Sequence, residues 1–218
     1  MFGSHISLQE IVMYLLAFLT AVTIHEYAHA RVALAAGDET AKRQGRISLN
    51  PIDHLDPVGT VMFVVTMLNG FGIAWGKPVP INPSNFKSPR WDLLRVSIAG
   101  PVSNILMAIA LSVLLRWMGH GLAPTLVLLI VTCIMFNLVL AFFNMLPIPP
   151  LDGSKVLISL LPARSARNYE YTMGRYGMAI LLIVLITGIG GRIIGPPIEM
   201  LSRVLIGFAL GGPSVTST

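Results

Sequence analysis

Three stretches of this chain, residues 8–36, 91–118 and 125–145, stay largely apolar for the roughly 20 residues that a helix needs to cross a bilayer. Nothing else in the sequence constrains the fold so tightly. A backbone surrounded by lipid must satisfy its own hydrogen bonds, which leaves helices and closed barrels, and runs of this length are helical. With 54% of its 218 residues hydrophobic and 11% charged, the chain is too apolar for an ordinary soluble domain. The expected fold is an α-helical polytopic membrane protein with about four to six transmembrane helices. A net charge of +5 does not point to nucleic acid, because the basic residues fall in connecting segments and no polar domain presents a binding face. Cys133 is the one cysteine, so an intrachain disulfide is impossible. The N-terminal MFGSHISLQE has no basic region of the kind that opens a secretory signal, so the first apolar run reads as a retained span.

Gly37-Asp38 stops the first helix. Between 38 and 90, ETAKRQGRISLN and WGKPVPINPSNF flank a shorter apolar piece, 58–73, and read as loop or short strand, a small membrane-associated β element. GHGLAP turns the chain between the second and third long runs, and the third ends in NMLPIPPLDG. We expect one domain over 1–218: a core at 8–161, C-terminal helices at 162–210 and a disordered tail at 211–218. Charge orients it. No Lys or Arg precedes Arg31, whereas Lys42, Arg43, Arg46, Lys77, Lys87, Arg90 and Arg95 crowd the next connection, which is therefore cytoplasmic. That puts the N-terminus outside a multi-pass plasma-membrane protein. Lys155, Arg164, Arg167 and Arg175 bring the chain back inside after the third long run, so the piece at 58–73 cannot be a lone crossing and reads as re-entrant.

The first span contains TIHEYAHARVAL. His25 and His29 stand at i and i+4 on one helical face, where one metal ion can take both ring nitrogens, and Glu26 lies beside them as a candidate general base. A catalytic zinc needs a third protein ligand and an open position. Asp152 in PIPPLDG is the aspartate beside an apolar run in a rigid setting: its prolines fix the backbone and Gly153 permits a sharp turn. Two histidines and two acids are costly in lipid-surrounded protein unless they bind an ion. One Zn2+ per chain meets that need, with Glu26 taking a proton from water and passing it to a leaving amine. Asn144 is either a donor to the oxyanion or simply the end of its helix. His25 lies about 18 Å along the helix from Gly37, inside the membrane and nearer the cytoplasmic side, a depth that suits a transmembrane protein substrate. Such a substrate must unwind locally and could add as a strand to the expected sheet edge.

Three motifs, HEYAH at 25–29, AGPVSN at 99–104 and NMLPIPPLDG at 144–153, in that order resemble the site-2 proteases, zinc metalloproteases of intramembrane proteolysis. The resemblance implies zinc ligands at His25, His29 and Asp152, a catalytic base at Glu26, a transition-state contact at Asn144 and packing roles for Gly100 and Asn104. It also implies a centre on the cytoplasmic side and a membrane-associated sheet. The chain resembles the small prokaryotic branch, with no insert between the core spans long enough for a PDZ domain, so nothing in it identifies a substrate-binding residue. Two rivals stand beside this reading: a transporter or proton channel built on the buried His/Glu/Asp cluster, and a non-catalytic adaptor descended from a protease. Asp53 and Asp56 read as capping or turn residues, His5, His54 and His120 as solvent or interface residues, and oligomeric state is open.

Overall fold

A computed structural model describes residues 7–69 and 74–211. Eight α-helices are found among the described residues: α1 Leu8–Ala35, the single turn α2 Thr40–Arg43, α3 Pro57–Asn69, α4 Pro89–Met118, α5 Pro124–Asn144, α6 Asp152–Leu160, α7 Ala163–Ile186 and α8 Ile189–Leu210. Four of them, α1, α4, α5 and α8, are long and apolar enough to cross a membrane. The tail expected to be disordered lies, beyond Gly211, outside the described residues, as does His5.

α1, α4 and α5 pack against one another and form the core. Ala17, Ala21, Ala30 and Ala33 of α1 are completely or almost completely buried, and such small side chains let membrane helices approach closely. α1 opens on a reciprocal cap in which Ser7 Oγ accepts from the Glu10 amide at 3.2 Å and the Glu10 carboxylate accepts from the Ser7 amide at 2.8 Å. It closes at Gly37, whose φ of 106° is in the region that favours glycine. Pro89 and Pro124 begin α4 and α5 in the first turn, where the missing N–H costs nothing. Arg90 at the start of α4 reaches the far end of α6 and donates to the carbonyls of Ser159 (2.6 Å), Leu160 and Leu161 (both 3.1 Å). This clamp satisfies orphan carbonyls at the end of α6 and fixes that short helix against α4.

The expected β element is not found: no residue among those described forms a strand. The reason is visible in the second flank. Pro78, Pro80 and Pro83 have no N–H, and three of the donors between and beside them are taken otherwise: Lys77 N donates to His54 O (2.8 Å), Val79 N to the Glu26 carboxylate (2.7 Å) and Asn82 N to the Asp38 carboxylate (2.7 Å). The segment is extended but pays out its donors to other elements. Asp38 is itself buried and also accepts from Thr40 N (3.1 Å), Thr40 Oγ1 (2.5 Å) and Asn85 Nδ2 (2.8 Å), binding the end of α1 to this segment.

Helix α3 has 13 residues, about 20 Å, too few for a full crossing. Asp56 caps it by accepting from Gly59 N at 2.7 Å. Its Phe63 is buried in a stack 4.7 Å from Phe18 of α1, with Phe136 of α5 at 6.3 Å. A β-carbon at Gly59 would collide with the Trp75 backbone, so the chain enters and leaves this region side by side. Residues 70–73, the last part of the piece expected to be re-entrant, lie outside the described residues. His54, expected at solvent or an interface, is buried with Nε2 on the Ser48 carbonyl at 2.8 Å.

Candidate metal centre

His25 and His29 are one turn apart on the buried face of α1, and Asp152 is the first residue of α6, where its negative charge is favoured by the helix N-terminus. Although 127 positions separate the first from the last, the structure brings the three together. The two Nε2 atoms are 3.0 Å apart, and Asp152 Oδ2 lies 3.1 Å from that of His25 and 3.0 Å from that of His29. All three side chains are buried.

Hydrogen-bond accounting shows what this cluster is shaped for. His29 Nδ1 faces the Val96 carbonyl at 2.7 Å, which can only accept, so Nδ1 carries the proton. His25 Nδ1 faces Asn104 Oδ1 at 2.7 Å. That amide is not free to flip: Asn104 Nδ2 donates to Ala21 O at 2.9 Å and to Asn137 Oδ1 at 2.8 Å, and Asn137 Nδ2 donates to Cys133 O at 2.8 Å. So His25 Nδ1 is also a donor. In the neutral rings both Nε2 atoms then carry lone pairs, which point at each other and at a carboxylate oxygen with no proton to share between them. Three electron-pair donors that converge in a buried space could hold a cation, and two imidazoles with one carboxylate suit zinc.

Gly100 of α4 lies directly against the cluster. A β-carbon there would strike His29 Nε2 and come within 2.6 Å of His25 Nε2, so this helix can lie against the cluster only without a side chain at 100. Gly153 acts similarly one helix away: its β-carbon would collide with Met145 O and reach 2.5 Å from Leu146 O. The sharp turn expected of Gly153 is not its role, since its φ is not positive and it sits within α6; the glycine allows α6 to start hard against the end of α5.

Glu26, partly buried beside His25, has Oε2 on the Val79 amide at 2.7 Å, and its other oxygen has no hydrogen bond among the described residues. Asn144, the last residue of α5, donates through Nδ2 to Leu140 O at 3.0 Å and has no recorded contact with the three-residue cluster. Asn104, expected to help pack the core helices, bridges α4 to α1 and α5 and also faces His25 with its amide oxygen. A cleft of about 180 Å³ reaches His29 and Asp152 between the 79–83 segment and α4. Its wall includes Ser97, whose buried hydroxyl has no hydrogen-bond partner among the described residues, and Lys155, whose Nζ lies 3.3 Å from Asp152 Oδ1. Sequence reasoning missed Asn137, Val79, Ser97 and Lys155. A signal existed for Asn137, an amide in an otherwise apolar span, but the Val79 contribution is a backbone N–H and leaves no trace in residue identity.

The model of peptidase family M50 matches residues 118–186, a span that includes Asn144 and Asp152. YwhC of Bacillus subtilis, whose name carries the words zinc metalloprotease, is 40% identical over 188 residues, 83% of each chain. Rip2 of Mycolicibacterium smegmatis, named in the same words, is 27% identical over 81% of this chain and 67% of its own. The zinc metalloprotease MJ0392 of Methanocaldococcus jannaschii is 27% identical over 82% of this chain and 43% of its own. No solved structure matches the chain.

Proposed function

The chain belongs to peptidase family M50, the site-2 proteases, and from that premise we propose that it is a zinc-dependent endopeptidase cutting peptide bonds within or near transmembrane segments of other proteins. The observation that carries the reading is the convergence of three metal-ligating atoms, His25 Nε2, His29 Nε2 and Asp152 Oδ2, inside a membrane-length helix bundle. Bound zinc supplies Lewis acidity there, acidifying water towards a pKa of about 7 and polarising a carbonyl.

The chain's own groups then have distinct tasks. Val79 N–H holds one oxygen of Glu26, which leaves the other to take the proton from the attacking water and later pass it to the leaving amine. Asn144 has committed one amide N–H to its own helix, and the second is the donor we assign to the developing oxyanion. Asn104 and the Val96 carbonyl keep His25 and His29 in the tautomer that binds metal. The cleft receives the substrate as an unwound stretch, and its walls at Val79, Ile81, Leu93 and Val96 suit apolar side chains of the kind a transmembrane segment brings.

The positive connection from Lys42 to Arg95 supports a cytoplasmic 37–95 region, a centre nearer that side and an N-terminus outside. In that frame α3 enters the membrane without crossing it. Neither the relatives' names nor the site favours the transporter. The test is zinc content with cleavage of a reconstituted transmembrane peptide. Wild type should hold about one zinc and cleave; His25→Ala and Asp152→Ala should lose zinc; Glu26→Gln should keep it and lose cleavage. A Glu26→Gln protein as active as wild type refutes the proposal.

A further inference from the structure

Helix α8 carries charges where none is expected. Glu199 and Arg203 form an i,i+4 pair at 2.5 Å whose side chains are 62% and 68% exposed, in a helix apolar and long enough to span a membrane. Its position along the bundle is fixed at both ends. Ile194 packs with Leu146, Leu151 and Leu181 beside the C-terminal end of α5, while Gly211 lies against Arg116 near the C-terminal end of α4. At about 1.5 Å per residue, Glu199 lies about 18 Å from Gly211 and Arg203 about 12 Å, too far for either head group to reach water at that end. A neighbouring face of α8, about 100° round the helix from Glu199 and running through Ile198 and Ala209, is buried with Ile134 and Leu138 of α5 and Ala108 of α4, while both side chains of the pair are largely exposed. The pair therefore points away from the bundle, towards hydrocarbon. One intrahelical bond cancels the net charge but leaves most of the five guanidinium N–H donors unmet, an arrangement that lipid does not satisfy.

The surroundings of the pair are shaped for another helix. Gly191, Gly195, Glu199, Arg203 and Gly207 follow one another at intervals of four, along a single ridge of α8. A β-carbon at any of the three glycines would meet nothing within 4 Å, so this ridge is uncovered. Gly191 and Gly195 form the small-xxx-small spacing that brings membrane helices into close contact. A surface groove of about 310 Å³ runs between Pro196, Glu199, Met200, Arg203 and Val204.

We propose that α8 is the interface through which two copies of this chain pair in the membrane, Glu199 of each meeting Arg203 of the other. A second copy is the occupant because the ridge holds its own complement: a two-fold interface places each residue i against j and j against i. All copies share one orientation in the bilayer, so the two α8 helices run parallel, and the four-residue offset between Glu199 and Arg203 is the kind of diagonal that interhelical ion pairs span in parallel helices. Four charges then close into a neutral ring that satisfies donors the single chain leaves open. This pairing is independent of the centre's chemistry, since the interface lies on a helix that contributes no residue to it.

The test is disulfide trapping in native membranes, with Cys133→Ala as background and zinc content as the check on folding. Met200→Cys should yield an oxidised species of two chains, and a mixture of tagged and untagged copies should give the mixed pair. Leu106→Cys, exposed on α4, should remain single. Adding Glu199→Arg to Met200→Cys should lower trapping at least about fivefold, and adding Arg203→Glu to that chain should restore it. Trapping at 200 no greater than at 106, or trapping to a chain of different mass, would overturn pairing with a second copy. If reversal at 199 fails to assemble, Met200→Cys alone still decides; trapping unchanged by a folded Glu199→Arg would remove the ion pair from the interface.

Discussion

At the scale of single residues, the centre depends on groups that do not touch an ion. Gly100→Ala tests this most sharply, because alanine in a helix interior is ordinarily better than glycine by about 1 kcal/mol. Here the added methyl collides with both imidazoles, so zinc affinity should fall at least about tenfold while helical circular dichroism stays unchanged; equal affinity would mean that α4 can retreat without disturbing the ligands. Asn137 is fully buried and stands two hydrogen bonds from His25. Asn137→Leu should weaken zinc by roughly tenfold to a hundredfold, measured by competition with a chelating dye, and the loss should vanish in an Asn104→Ala background, through which it must act. The meeting of His25, His29 and Asp152 was legible, the histidines from their i, i+4 spacing and Asp152 from its rigid proline-rich setting beside an apolar run. The tautomer of His25 was not, since it is set by an amide on another helix whose own orientation is set on a third.

At the scale of elements, the decisive joints are helix ends. Asp38 fastens the end of α1 to the 82–85 turn, and although burial pushes its carboxyl up, the hydrogen bonds from Thr40, Asn85 and Asn82 outweigh that and hold it below the usual carboxylate range. A depressed carboxyl stabilises the fold above its unfolded value of about 4, and the benefit disappears as pH falls through the lower folded value. Asp38→Asn should therefore melt at a lower temperature than wild type at pH 7, by about 1–3 kcal/mol of stability, and the gap should narrow under acid; a gap that is the same at both pH values would exclude the ionised carboxylate as its cause. The same joint explains the misread sheet. Alternating proline and apolar residues from Pro78 to Ile81 look like an edge strand, but which partner takes the remaining amide is a tertiary fact, and here the partners are Glu26 and Asp38.

At the scale of the molecule, the long apolar runs announced a helical membrane protein, and the core helices fell within a few residues of the expected bounds. The C-terminal third was less legible. α7 is 24 residues long yet is not among the helices apolar enough to span, because Arg164, Arg167 and Glu170 occupy its first half and Arg175 its centre. Topology gives a direct check. Val58 and Lys77 are exposed at the two ends of the segment we propose to be re-entrant, so single cysteines at either position should react with an impermeant thiol reagent from one and the same side of the membrane; opposite sides would make this region a full crossing. The distribution of the ligands has a consequence in time as well as space. The two histidines emerge from the ribosome with the first helix, but their carboxylate partner is translated more than a hundred residues later. A chain made only as far as α5 therefore lacks one of the three side chains of the cluster, and the cluster can close only once α6 has joined the bundle.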